Sequence, residues 1–172
     1  MTKIIVLTGP ESTAKSTLTR ELARQFGGSC FPEFARSYLE GKPSHYTYQD
    51  VEAIARGQIA QYDQALASAG DFAFLDTWLF VTKVWFDWVY RRRPQWLDQA
   101  LHDRPVHLYL LCRPDIPWEP DPLRENGGEQ REKLFQQYKR ELQKLDLPFV
   151  EIGGEGPSRI QNAVQAIQNF NF

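Results

Sequence analysis

Residues 9–17 read Gly-Pro-Glu-Ser-Thr-Ala-Lys-Ser-Thr, and they follow directly on the apolar run Ile4, Ile5, Val6, Leu7. A run that is apolar at every residue suits a strand buried on both faces of a parallel sheet. Beyond Ser16, the residues Leu18, Leu22 and Phe26 recur every fourth position, which predicts a helix over 16–26 with one apolar face. Strand, glycine-led turn and helix in that order constrain the fold more than any other feature of the chain. The turn itself is G-x-x-x-x-A-K-S, one residue away from the phosphate-binding pattern G-x-x-x-x-G-K-[ST].

The spacing has a chemical reason. Gly9 permits a sharp exit from the strand, and Glu11, Ser12, Thr13 and Ala14 wrap so that successive backbone N–H groups point at one phosphate. Lys15 brings a cation to the β- and γ-phosphates, and the Ser16 hydroxyl, followed by Thr17, is placed to ligate Mg2+. The helix that starts there adds its positive end. Ala14 departs from the pattern: if its position requires a left-handed backbone, an L-residue there costs roughly 1–2 kcal/mol.

The rest of the chain alternates in the same way. Strands are predicted at 29–31, 72–75, 106–111 and 149–152, and helices at 33–39, from Thr47 to Gly70, at 77–90, 94–103, 129–145 and 160–170. Residues 41–46 read as a loop. Strands joined by helical crossovers imply an α/β class fold, three layers with a mostly parallel sheet of about five strands. A length of 172 residues without a long linker predicts one domain over 1–172. The net charge of −2 offers no basic surface for nucleic acid, and the apolar segment 72–90 is interrupted by Asp76, Lys83 and Asp87, so no membrane span is expected. Cys30 and Cys112, too far apart for a metal or redox motif, read as buried small hydrophobes of a reducing, cytoplasmic compartment. The oligomeric state is not legible.

Two further features carry chemistry. Asp76 closes the apolar stretch Phe72-Ala73-Phe74-Leu75, where such folds hold a carboxylate for the metal ion or for a substrate proton; capping the next helix is compatible with either role. Thr77 follows it, so the Asp-Glu pair of motor and remodelling ATPases is missing, as is any guanine-reading Asn-Lys-x-Asp; AAA-type motors and GTPases are set aside. Residues 113–128 contain four prolines and no regular period, and they begin where a buried strand ends. A loop of that length there is a lid candidate, with Arg113, Arg124 and Arg131 as phosphate cations, Gly127-Gly128 as hinge and Trp118 as a ring to stack on substrate. Glu33 and Arg36, three apart on one helical face, serve either ribose hydroxyls and phosphate or a surface ion pair. The Arg91-Arg92-Arg93 run reads as a solvated helix end, the stripe Trp78, Trp85, Phe86 and Trp88 as core, and the three histidines receive no role. The loop 153–157 is placed by topology near a nucleotide base.

The segments 9–17, Pro-Glu-Phe-Ala-Arg at 32–36, Leu-Asp-Thr at 75–77, Thr-Lys-Val-Trp at 82–85, and Pro-Asp-Ile-Pro-Trp at 114–118 with Asp121 and Arg124 together resemble the ribosylnicotinamide kinase domain of bacterial NadR-like proteins. That resemblance spans essentially the whole chain. It implies a nucleoside-kinase-like P-loop fold that phosphorylates nicotinamide riboside with ATP and Mg2+. It also implies Lys15, Ser16 and Asp76 as catalytic or metal-associated residues, Glu33, Arg36, Trp118 and Asp121 around the substrate, and Arg124 acting from the lid. No adenylyltransferase part, often found ahead of this domain, is present, which points to a standalone kinase or a relative with a changed substrate. The rival class is a nucleotide-sensing module that binds ATP without transferring phosphate, and a kinase for another nucleoside or nucleotide fits the same fold.

Overall fold

A computed structural model describes residues 1–42, 45–125 and 127–172; two residues of the expected loop 41–46 and one of the segment 113–128 lie outside the described residues. The elements in order are β1 (Lys3–Thr8), α1 (Lys15–Phe26), β2 (Ser29–Phe31), α2 (Phe34–Leu39), α3 (Tyr48–Leu66), β3 (Phe72–Asp76) and α4 (Leu79–Trp85). A π-helical turn (Phe86–Tyr90) prolongs α4, and α5 (Trp96–His102), β4 (Leu108–Cys112), α6 (Glu129–Lys144), β5 (Phe149–Ile152) and α7 (Pro157–Asn169) follow. The five strands are all parallel in the order β2-β3-β1-β4-β5. Every strand therefore ends on the same edge, and every loop that leaves that edge starts from a fixed point.

Alternate strand residues face opposite layers. Ile4, Val6, Ala73, Leu75, Tyr109 and Leu111 pack under α3, α4 and α6, whereas Ile5, Leu7, Phe74, Leu108, Leu110 and Cys112 pack under α1 and α7. β1 lies centrally and needs a buried side chain at nearly every position, which is why it shows no polar alternation. Thr47 starts α3 as expected: its hydroxyl and the Asp50 carboxylate form a reciprocal capping box. Three expectations fail on the surface. Cys30 is exposed, and Leu66 and Leu145 stand out at helix ends instead of continuing the buried stripes.

The region after β3 also differs from the expected single helix over 77–90. Thr77 takes a left-handed backbone, Trp78 is extended, and only then does α4 begin. Lys83 is buried between Asp87 (3.0 Å) and Glu141 (2.8 Å). The arginine run is not simply solvated: Arg93 bridges Asp87 (2.7 Å) and Asp98 (3.0 Å), and Arg92 lies over the Tyr48 ring. These pairs tie the π-helical turn to α5 and α6.

Candidate active site

The turn after β1 bends because Gly9 has φ 132°, and a Cβ there would stand 2.7 Å from the Cys112 carbonyl oxygen. No other residue fits between the β1 and β4 ends. The chain then curls with Ser12 at φ 55° and Ala14 at φ 61°, ψ 25°. Ala14 therefore does hold the left-handed conformation that the pattern assigns to glycine, and it starts α1. Thr13 Oγ1 donates to the Pro10 carbonyl (2.9 Å), and Lys15 Nζ donates to the same oxygen (2.7 Å). The Ser16 hydroxyl donates to Asp76 Oδ2, which brings the predicted carboxylate from the end of β3 against the start of α1.

Asp76 is buried, and its second oxygen, Oδ1, has no hydrogen-bond partner among the described residues. Burial pushes its carboxyl up, while Lys15 and the Ser16 hydrogen bond pull it back toward the charged form. A desolvated carboxylate with one lone oxygen beside a hydroxyl fits a small hard cation. Among the described residues no three His, Cys, Asp or Glu side chains cluster. A two-ligand site of this kind suits Mg2+, which keeps several waters and takes phosphate oxygens, better than a metal that needs an all-protein cage.

Above the turn opens a cavity of about 970 Å³. Its floor is Gly9 and residues 11–17. Toward β2 and β3 its wall includes Glu33, Arg36, Thr77, Trp85 and Trp88; toward β5 it includes Glu155, Gly156 and Ile160. The loop after β5 thus borders the same cavity. Glu33 sits at the start of α2, and its carboxyl is pushed up, first by burial and then by the nearby Asp76 charge. Arg36 pairs with Asp121 (3.1 Å), so the expected face of α2 meets the proline-rich segment rather than standing as an isolated surface pair.

That segment lies across the cavity and is fastened to the phosphate loop. Glu119 N–H donates to Ser12 Oγ (2.9 Å), Glu125 N–H donates to the Glu11 carboxylate (3.0 Å), and Tyr46 OH donates to Glu125 (3.0 Å). Arg124 lines the cavity and donates to the Glu119 carbonyl. Arg131 does not reach the cavity: it is buried and donates to the carbonyls of Ser12 (3.1 Å) and Ile116 (2.6 Å). Trp118 and Asp121 are also off the wall. The Trp118 ring packs inside the segment, 3.4 Å from where a Cβ on Gly127 would be.

Sequence reasoning missed two groups. Trp85 and Trp88, taken there as core, are only half-buried and face the cavity with Tyr46, unlike Trp78 and Phe86, which are fully enclosed. Their signal was present: they lie three apart on a helix, offset from the fully apolar stripe. Arg159 was not singled out either. It is 2% exposed and donates to the carbonyls of Thr13 (3.2 Å), Gly154 (2.7 Å) and Arg113 (3.1 Å), and it pairs with Asp115. A cation in the first turn of a helix opposes the helix dipole, and that misfit was the available clue.

Comparison with known proteins agrees with this geometry. Residues 4–159 match a family model described as an AAA domain. The Asp-Glu pair of a motor is nonetheless missing, because Asp76 is followed by Thr77. The trifunctional NAD biosynthesis/regulator protein NadR of Escherichia coli K12 is 32% identical over 175 residues, an alignment covering 98% of this chain and 42% of that protein. The chain thus spans less than half the length of the curated relatives it matches. A crystal structure of NadR protein in complex with NR superposes with a TM-score of 0.77 at 23% identity, over 97% of this chain and 51% of that one. Deoxyadenosine kinase from M. mycoides with bound dATP follows the same fold with a TM-score of 0.63 at 14% identity, over 97% of this chain and all of that one.

Proposed function

The chain belongs to the AAA domain family, and from that membership and the shape of its site we propose that it is a kinase that transfers the γ-phosphoryl group of ATP to the 5′-hydroxyl of a nucleoside, nicotinamide riboside in the first place. The observation that carries this reading is one cavity with two unlike ends: a phosphate-binding floor, and beside it a wall of Glu33, Arg36, Trp85 and Trp88. A hydrolase needs only the floor. An aromatic wall next to a carboxylate suits an acceptor that carries both a flat ring and hydroxyl groups. NadR protein has been crystallised in complex with NR, and this chain is homologous to NadR along nearly all of its length.

In this reading the residues divide the work. The amides of residues 11–16 and the Lys15 ammonium, released from Pro10, hold the β- and γ-phosphates. Ser16 and Asp76 hold Mg2+, which neutralises phosphate charge when bound. Because Asp76 is committed to Ser16, Glu33 is the better placed group to take the proton of the 5′-hydroxyl. Trp85 and Trp88 orient the acceptor ring, and Arg36 its hydroxyls. Residues 113–128 act as a lid that excludes water, with Arg124 supplying positive charge from above. The whole chain works as one P-loop unit, in the cytoplasm where ATP is held; no helix of the described residues is long and apolar enough to cross a membrane.

The test is a coupled assay of ADP release with and without nicotinamide riboside, run beside Lys15→Ala. ADP release that depends on nicotinamide riboside, and falls by roughly a thousandfold in the variant, is the expected result. Equal release with other nucleosides and none with nicotinamide riboside would keep the kinase and discard the acceptor.

A further inference from the structure

Thr77 has φ 66°, and it is the residue directly after Asp76. A β-branched side chain in the left-handed region is a conformational outlier, and glycine would occupy it without penalty. The backbone course explains the conformation but not the residue. Thr77 N–H donates to the Leu7 carbonyl (3.0 Å), extending the β1–β3 pairing by one step, and the chain must then reverse to set Trp78 extended before α4. Any residue able to take that φ would do this. The threonine side chain, in contrast, has no structural employment: among the described residues Thr77 hydrogen-bonds through its backbone N–H alone. Thr77 is nonetheless 4% exposed and lines the cavity. A hydroxyl that makes no bond to the protein, on a cavity-lining residue held at a strained backbone position, is available to whatever enters the cavity.

We propose that the Thr77 hydroxyl is a further catalytic group, which donates a hydrogen bond to an oxygen of the phosphoryl group in flight. The inference rests on the kinase reading above. As the bond from the acceptor 5′-oxygen to phosphorus forms, the bond from phosphorus to the β–γ bridging oxygen breaks; the acceptor proton passes to Glu33 and ADP leaves with the electron pair. Thr77 keeps its own proton throughout and stabilises charge on a non-bridging oxygen. Thr77 directly follows Asp76, whose carboxylate meets Ser16 at the start of α1, which is why it should act on the transferring phosphoryl group and leave ADP binding alone.

The experiment compares Thr77→Ser, Thr77→Val and Thr77→Gly with the unaltered protein in kcat, in Kd for ADP, in Kd for ADP with magnesium and aluminium fluoride, and in Tm. Thr77→Gly is expected to melt no lower than the parent, because the left-handed strain is relieved, yet to lose about tenfold to a hundredfold in kcat. Thr77→Val should lose a similar factor, and Thr77→Ser should retain about ten times the rate of Thr77→Val. Affinity for the aluminium fluoride complex should fall in parallel while that for ADP holds. Parental kcat and parental aluminium fluoride affinity in Thr77→Val would overturn the proposal, and that pair decides the matter even if Thr77→Gly folds poorly. If the unaltered protein phosphorylates no nucleoside, the kinase reading fails; the aluminium fluoride comparison then still judges Thr77, because it needs no acceptor.

Discussion

At the edge of the sheet where the strands begin, the polar groups that tie the strands and helices together are paired. Thr2 Oγ1 donates to the carbonyls of Ser68 (3.1 Å) and Gly70 (3.2 Å), Lys3 N–H donates to Asp71 (2.8 Å), Ile4 N–H donates to His107 Nδ1 (3.0 Å), and Tyr62 OH donates to Pro105 (2.7 Å). At the edge where the same strands end, Ser12, Ala14 and Thr77 sit in left-handed conformations without being glycine. Thr8 Oγ1 and Asp76 Oδ1 are buried there without partners among the described residues. Both edges share one hydrophobic interior, so the contrast does not come from packing. In the proposed kinase the contrast follows from what each edge does: one closes the fold, and the other keeps donors and acceptors ready for a ligand that supplies the missing halves.

The sharpest way to test that contrast is to remove a ready group. Glu33→Gln should lower kcat by roughly a hundredfold to ten-thousandfold. Glu33 accepts a proton only when ionised, and its carboxyl is raised by burial and by Asp76, so the parental rate should fall with decreasing pH already above the usual carboxylate range. A pH–rate profile of Glu33→Gln that kept this acidic limb would assign it to another group. Stability should move oppositely, since a raised carboxyl favours the fold as pH falls and loses that contribution as pH rises through the shifted value.

At the other edge the same kind of change should alter stability and leave the site untouched. His107 must be unprotonated at Nδ1 to accept from Ile4, and burial followed by the Lys3 charge holds its pKa below 6.5. Its contribution is therefore complete above the unfolded value and is lost as pH falls through the depressed one. His107→Ala should cost roughly 1–3 kcal/mol near neutral pH, and urea unfolding at pH 5 and pH 7 should show a smaller difference for the variant than for the parent. A change in Kd for ADP would break the separation of the two edges.

The smallest expected effect is a gain. Ala14→Gly relieves a left-handed alanine and should raise stability by roughly 1 kcal/mol or less, because glycine also loses more freedom on folding. Chemical denaturation measures it, and ADP affinity should not fall. A clear loss of stability would mean that the alanine methyl group packs against something that offsets its strain.

How far the sequence alone reaches follows from the range of each signal. The phosphate loop, the five strands and Asp76 were legible because each depends on neighbours within a few residues: an apolar run, a glycine at a sharp bend, a carboxylate at a strand end. Ala14 was even legible as strained. What could not be read were relations that the fold makes across the chain. Trp85 and Phe86 are adjacent in sequence, and only the packing of α3 and α6 decides which one is enclosed and which faces the cavity. Trp118 looked placed for a ligand because its sequence neighbours are charged, yet it folds onto Gly127 of its own segment. Arg131 and Arg159 are charges that the chain buries among carbonyls, one of which in each case comes from a residue over a hundred positions away.

Those two arginines have a consequence for the loop they touch. A trans peptide is planar, with its C=O and the following N–H pointing in opposite directions. Arg131 draws the Ser12 carbonyl outward and Arg159 draws the Thr13 carbonyl outward, and each guanidinium thereby rotates one peptide plane. The N–H groups of Thr13 and Ala14 are left pointing the other way, into the hollow that the loop encloses. Two buried arginines thus set the compass bearing of the dipoles on this loop.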